Sequence, residues 1–212
     1  MLRSILLAAC FFVSSALAQY TVEPNGLCDA EGVSAGMKAA LEAGGYRVKD
    51  GSGAPFVEVW LRKAVPTEKP ADPPRGSDFP DLPMNTLVGV IRYVKAGADY
   101  RGQPIKPGVY TLRFSLHPED GNHQGVAPRR DFFLLSPVTI DPDPAAKLTF
   151  DAVVGMSRKA SGTTHPSTLF LLLPDSGTKY PSVQHTGDNH EVVNLKTGSL
   201  ELGITVVGKS EG

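Results

Sequence analysis

The sequence predicts a β-rich α+β fold: a single antiparallel β-sandwich, with a jelly roll as one arrangement of its strands, and two short helices. Three observations predict it. The 212 residues include 22 glycines and 18 prolines, a composition of frequent turns and short elements. Several segments alternate apolar and polar residues with the two-residue period of a strand. Two stretches alone carry helical spacing, and both are short.

Taken in order, the first element is a helix from Ser34 to Ala43. Ser34 caps it, Met37, Ala40 and Leu41 share a face, and Gly44-Gly45 ends it. Phe56 to Leu61 is a strand, with Val57, Val59 and Leu61 on one face and Trp60 on the other. Residues 66–83 contain six prolines, so no helix or central strand forms there. A connection of that length is a functional loop or a mobile flap. Leu87 to Tyr93 is a strand. Val109 to Leu116 is the clearest one: Tyr110, Leu112, Phe114 and Leu116 alternate with Thr111, Arg113 and Ser115. By the same parity His117 points away from the core.

Phe132 to Leu135 and Leu169 to Leu173 are continuous apolar runs, read as strands buried on both faces. Between them Asp143-Pro144 reads as a helix start, with Asp143 as the cap. Leu148, Val153, Val154 and Met156 turn to the core, and the helix stops before Gly162. The C-terminal part is a hairpin or meander, pairing Val192–Leu195 with Leu200–Val207.

Residues 1–18 have the pattern of a secretory signal: Met1-Leu2-Arg3, an apolar run from Ile5 to Val13, and Ala16-Leu17-Ala18 as the cleavage site. The mature chain is then a single domain, 19–212, of 212 − 18 = 194 residues. Its location is expected to be secreted or periplasmic. Leu7-Ala8-Ala9-Cys10 offers lipidation at Cys10 as a competing reading, disfavoured because Phe11-Phe12-Val13 would be left as an exposed apolar stub. After cleavage Cys28 stands alone, without a neighbouring base or a CxxC partner to activate it. No later apolar stretch reaches the roughly 20 residues of a spanning helix. The net charge is −1 and no basic stripe appears, which argues against a nucleic-acid partner.

Four stretches carry a resemblance: Pro107–Arg113 (PGVYTLR), Asp120–His123 (DGNH), Ala127–Leu135 (APRRDFFLL) and Ser161–Pro166 (SGTTHP). They resemble stretches of uncharacterised secreted proteins from soil and aquatic bacteria. The resemblance implies a secreted bacterial domain and assigns no activity to any residue.

The candidate chemistry lies in the histidines. All five fall between 117 and 190, in polar, turn-rich contexts. His117 and His123 flank one loop, His165 stands in a second, and His185 and His190 bracket a third. Imidazole is a common ligand for zinc and copper, so His117, His123, His165, His185 and His190, with Asp120 and Asp188, form a candidate metal set. Glu119 and Glu191 are further ligands or orienting acceptors. The spacings match no strong zinc motif, and five unrelated surface imidazoles on connections explain the pattern equally well. Calcium is a weaker reading of Asp120-Gly-Asn122, Asp141-Pro-Asp143 and Asp188-Asn189, whose residues are first of all turn formers. Arg129-Arg130-Asp131 reads as an ion pair at a strand entry in preference to an anion site. Trp60, Tyr93 and Tyr100 are candidates for a sugar platform, while spacing puts Tyr110 in the core. No Gly-x-Ser-x-Gly and no phosphate-binding loop is present.

The function these features predict is a secreted, non-enzymatic binding domain whose ligand is a protein, a metal or a glycan. Its sharpest form holds zinc or copper through loop histidines. The alternatives are a metal-dependent periplasmic enzyme and a carbohydrate-binding module.

Overall fold

The computed structural model describes residues 19–119, 129–187 and 189–208. The expected signal segment, Asp120, His123 and Asp188 lie outside them. Ten strands form one antiparallel sheet: β1 (Thr21–Asn25), β2 (Gly45–Lys49), β3 (Pro55–Leu61), β4 (Leu87–Tyr93), β7 (Gly108–Leu116), β8 (Asp131–Pro137), β9 (Thr168–Leu172), β12 (Leu200–Val207), β11 (His190–Thr197) and β10 (Ser182–Thr186), in that spatial order. A small hairpin of β5 (Gly97–Ala98) and β6 (Pro104–Ile105) stands apart. The two edge strands β1 and β10 approach one another, so the sheet is nearly barrel-shaped. The chain is β-rich, as expected. Among the described residues the pairing runs through one ten-stranded sheet, and the expected sandwich is not confirmed.

Side-chain parity sorts the core. Val57, Val59 and Leu61 of β3, Tyr110, Leu112 and Phe114 of β7, and Leu202, Ile204 and Val206 of β12 fill the interior. The outer face is not left to solvent. Helix α1 (Ala35–Ala40) places Met37 with Trp60, Leu87 and Val90 in a second cluster. Helix α2 (Phe150–Ser161) places Val153 with Phe132, Leu134 and Phe170 in a third. Burial on both faces is why β8 and β9 read as unbroken apolar runs. Gly45 is required by this packing: a Cβ there would lie 2.4 Å from the Trp60 ring.

Both helices differ from expectation at one end. Ser34 does cap α1, accepting the Met37 N–H at 3.0 Å. The helix stops at Ala40, before Gly44-Gly45, because Leu41 bridges to Arg62 and Glu42 N–H donates to Leu61 O. Gly45 then opens β2, which with β1 and β10 is one of three strands of the large sheet that the sequence did not disclose. The second helix starts at Phe150, capped by Thr149, and not at Asp143-Pro144. Asp143 caps only a turn, through Ala145 N–H. The carbonyls that would begin a helix there are used by the sheet. Arg113 takes those of Asp143 and Ala146, Arg62 takes Pro144, and Asn85 takes Leu148.

The proline-rich connection is a plug. Phe79 and Leu82 are buried in the interior cluster, and Phe79 meets Phe114 edge-on at 6.5 Å. The loop is pinned to the start of β8. Ser77 Oγ donates to one oxygen of Asp131 at 2.6 Å and Asp78 N–H to the other at 2.9 Å.

Candidate functional site

Four of the five histidines are described, and they take three different environments. His117 leaves the end of β7 on the outer face, as parity predicts. Its ring stacks on Phe132 (4.3 Å) and Phe170 (5.1 Å). Its backbone is held by Arg130: His117 N–H donates to Arg130 O, and Arg130 Nε donates back to His117 O at 2.8 Å. Arg130 also donates to Arg75 O and pairs with Glu119, while Arg129 pairs with Asp78. The two arginines therefore organise a strand entry, as the ion-pair reading expected.

His165 is exposed on a turn that the sequence makes rigid. Gly162 ends α2 in the left-handed conformation, φ 71°, and its N–H returns to Arg158 O. Ser161 Oγ then donates to His165 O at 2.6 Å, and Thr163 Oγ1 accepts His165 N–H. Ser157 Oγ and Ser167 exchange two hydrogen bonds across the same turn. The Ser-Gly-Thr-Thr-His-Pro stretch is thus a turn that folds back along the last turns of α2.

His185 and His190 were expected on a connection, and both lie in strands. They sit on either side of the β10–β11 turn, where ladder parity directs them to opposite faces. His185 is half-exposed and its Nδ1 lies 2.8 Å from Glu191 Oε1. His190 is buried, 4% exposed. Its ring lies flat on Tyr100 at 4.1 Å, with Nε2 3.0 Å from Tyr100 O. A carbonyl partner makes Nε2 a donor, and among the described residues Nδ1 is buried without a hydrogen-bond partner. Tyr100 in turn packs edge-on to Phe170 at 4.9 Å. One aromatic band, His190–Tyr100–Phe170–His117–Phe132, therefore crosses the outer face from β11 to β7.

A pocket of about 490 Å³ opens beside this band. It is lined by the β5–β6 hairpin loop, by the His165-Pro166 turn, and by His117 and Thr168 beside the buried Phe170. The hairpin loop is ordered by a single carboxylate. Asp99 Oδ1 accepts the N–H groups of Arg101 (3.0 Å) and Gln103 (2.8 Å), and Gly102 supplies the positive φ of 80°. Gln103 Nε2 reaches across to Pro166 O at 3.2 Å and ties the two walls. Asp99 is 5% exposed. Burial pushes its pKa up, and the Gln103 and Arg101 N–H groups, then the Arg101 guanidinium, pull it partly back.

Comparison of the chain with protein-family models, with curated proteins and with solved structures finds no match. The site therefore stands on its own geometry.

The structure brings His117 and His165 to one pocket. It keeps His190 behind Tyr100 and pairs His185 with Glu191. Among the described residues no three of His, Cys, Asp and Glu gather to hold a metal ion. Asp141 of the calcium reading is committed elsewhere: both its oxygens take the Arg113 guanidinium at 2.7 Å, and Thr111 Oγ1 adds a bond of 2.6 Å. Trp60 and Tyr93 are core residues, so they form no sugar platform. Cys28 is buried among Met37 and Trp60, and burial raises its thiol pKa, as suits an inert side chain. Asp99, Arg101 and Gln103 are site residues that sequence reading missed. Their only signal was the turn-forming run Ala98-Asp-Tyr-Arg-Gly-Gln103.

Asp99 also makes a prediction about pH. Its folded pKa is raised, so the folded chain binds more protons than the unfolded one above the ordinary value of 3.8. This contribution to stability therefore grows as pH falls toward 3.8 and is lost as pH rises through the raised pKa. Asp99→Asn retains an oxygen for the two N–H groups and removes the buried charge. The variant is expected to be at least as stable as the parent at pH 8, with a flatter dependence on pH. Urea melts of both chains between pH 4 and 8 check it, and a large loss at pH 8 would refute it.

Proposed function

We propose that the protein is an extracytoplasmic binding domain whose ligand is a small organic molecule seated in the pocket between the β5–β6 hairpin and the His165 turn. The observation that carries this reading is the way the pocket is built. A buried carboxylate, a capped helix end and a stacked aromatic band all hold side chains in place around an opening, and Gln103 ties the walls. Its volume lies in the range of small-molecule sites. The signal-like residues 1–18 and the resemblance to secreted bacterial proteins support an address outside the cytoplasm. Among the described residues no helix is long and apolar enough to cross a membrane.

Zinc or copper is the second form of the proposal, because two of the five imidazoles border this one pocket. Two imidazoles fall short of the three protein ligands of a catalytic zinc site. An organic occupant is the better supported, and a binding role better supported than a metal-dependent enzyme.

The test is a fragment screen by ligand-observed NMR on residues 19–212 and on His165→Trp, whose indole fills the pocket mouth from an exposed position. Hits on the parent that vanish in His165→Trp are the expected result, with an unchanged melting temperature. Hits that persist in the filled variant place binding elsewhere and end the proposal. Elemental analysis of the same samples decides the metal form. One zinc or copper per chain, lost in His165→Ala, would move the reading to metal.

A further inference from the structure

The charge around the pocket points to one class of occupant. Arg101 is exposed at the rim and makes no carboxylate ion pair among the described residues. Most other described arginines are committed. Arg47 and Arg92 share Glu58, Arg113 holds Asp141, Arg129 holds Asp78, and Arg130 holds Glu119. The backbone of Arg101 is nevertheless fixed, since its N–H donates to Asp99 Oδ1. The guanidinium acts through space on the buried Asp99 carboxylate but makes no side-chain hydrogen bond among the described residues, and a fork so placed on an ordered turn suits a planar carboxylate with two parallel acceptors.

The second wall adds a donor. His165 is held through its N–H and carbonyl, so the imidazole alone is left to face a ligand. A neutral imidazole still carries one N–H, so this donor is present in either protonation state. Beneath these rim groups the pocket is lined by the half-buried His117 ring and Pro166, which lie beside the buried Phe170. A small inorganic anion would satisfy the rim and leave that lining uncovered. A neutral ring would cover the lining and leave the guanidinium without its acceptor.

We infer that the pocket takes a ring-bearing organic acid of one or two rings, its carboxylate on Arg101 and His165 and its ring over the His117 imidazole and Pro166. This inference rests on the pocket being the ligand seat proposed above. It adds the chemical class, and it makes Arg101 the residue that determines specificity.

The experiment compares 2-naphthoate with the neutral 2-naphthalenemethanol by calorimetric titration on the parent, Arg101→Gln, Arg101→Lys and His165→Trp. The acid is expected to bind the parent at least about tenfold more tightly than the alcohol, the usual margin of charge-assisted hydrogen bonds. Arg101→Gln should erase that margin, and Arg101→Lys should restore part of it, since lysine keeps the charge and loses the fork. All variants alter exposed side chains, and equal melting temperatures establish that they fold. Equal binding of acid and alcohol, insensitive to Arg101 but lost in His165→Trp, overturns the ligand class and leaves the pocket standing. Binding unaffected by His165→Trp, or no binding of either probe, overturns both.

Discussion

Arg113→Met is expected to destabilise the fold by about 3–5 kcal/mol, the cost of leaving a buried charge without its partner. Arg113 lies on β7 and is 1% exposed, and Asp141 is 2% exposed. The pair is bidentate, with both bonds at 2.7 Å. The remaining guanidinium donors go to three carbonyls, of Asn85 at 2.9 Å, Asp143 at 3.2 Å and Ala146 at 3.4 Å. One side chain thus joins the outer face of β7 to residues 141–146, the segment that leads into α2. Methionine fills much of the volume but strands the Asp141 carboxylate, with Thr111 as its main donor. Asp141→Leu alone should cost a similar amount, by stranding the guanidinium. The double variant should recover a large part of the loss, because apolar replacement of a whole buried pair is often neutral. Urea denaturation of the three variants measures this. Single losses under about 1 kcal/mol, the scale of an exposed pair, would show that the network is not desolvated as described.

The second large effect is expected at Phe79. Phe79→Ala should cost about 3–5 kcal/mol, the usual range for truncating a buried phenylalanine. The consequence reaches beyond the cavity. Phe79 and Leu82 are the apolar anchors by which a proline-rich connection enters the barrel interior. With the larger anchor gone, residues 66–83 are held by Leu82 and by polar ties alone: Ser77 and Asp78 to Asp131, Arg130 to Arg75 O, and Arg129 to Asp78. Local opening should then cost much less than global unfolding. Limited trypsin digestion under native conditions is therefore expected to cut after Arg75 in the variant and spare the parent. Equal cleavage of both chains, with a small loss of stability, would mean that the loop is a flap after all.

The sequence made much of the strand content legible because alternation is a local property. In 109–116 the residues that alternate are the ones that face the interior, and the same holds for Leu202, Ile204 and Val206. His117 was read correctly as facing outward for the same reason. Helix ends were less legible. The Asp143-Pro144 signal is a genuine cap by local chemistry, but Arg113, Arg62 and Asn85 take the nearby carbonyls from other parts of the chain. Gly44-Gly45 similarly looked like a stop signal because the requirement at Gly45 is the Trp60 ring packed against it.

The candidate site shows the same division. Clustering along the chain singled out His117 and His165, and the fold places both at one pocket. The same clustering included His185 and His190, which the ladder separates: one pairs with Glu191 and the other is stacked on Tyr100. The residues that define the pocket's chemistry, Asp99 and Arg101, lie outside the histidine segments and have no distinctive spacing.

By itself, then, the sequence determined which faces of its clearest strands are apolar and that His117 turns outward, since both depend on neighbours a few residues apart. The tertiary structure alone decided that the strands form one nearly closed ladder, that Arg113 is buried with Asp141, and that Asp99, Arg101 and His165 border one opening. Those outcomes depend on pairings between distant segments, such as Gln103 with Pro166 and Arg113 with Asp141, and local periodicity carries no information about them.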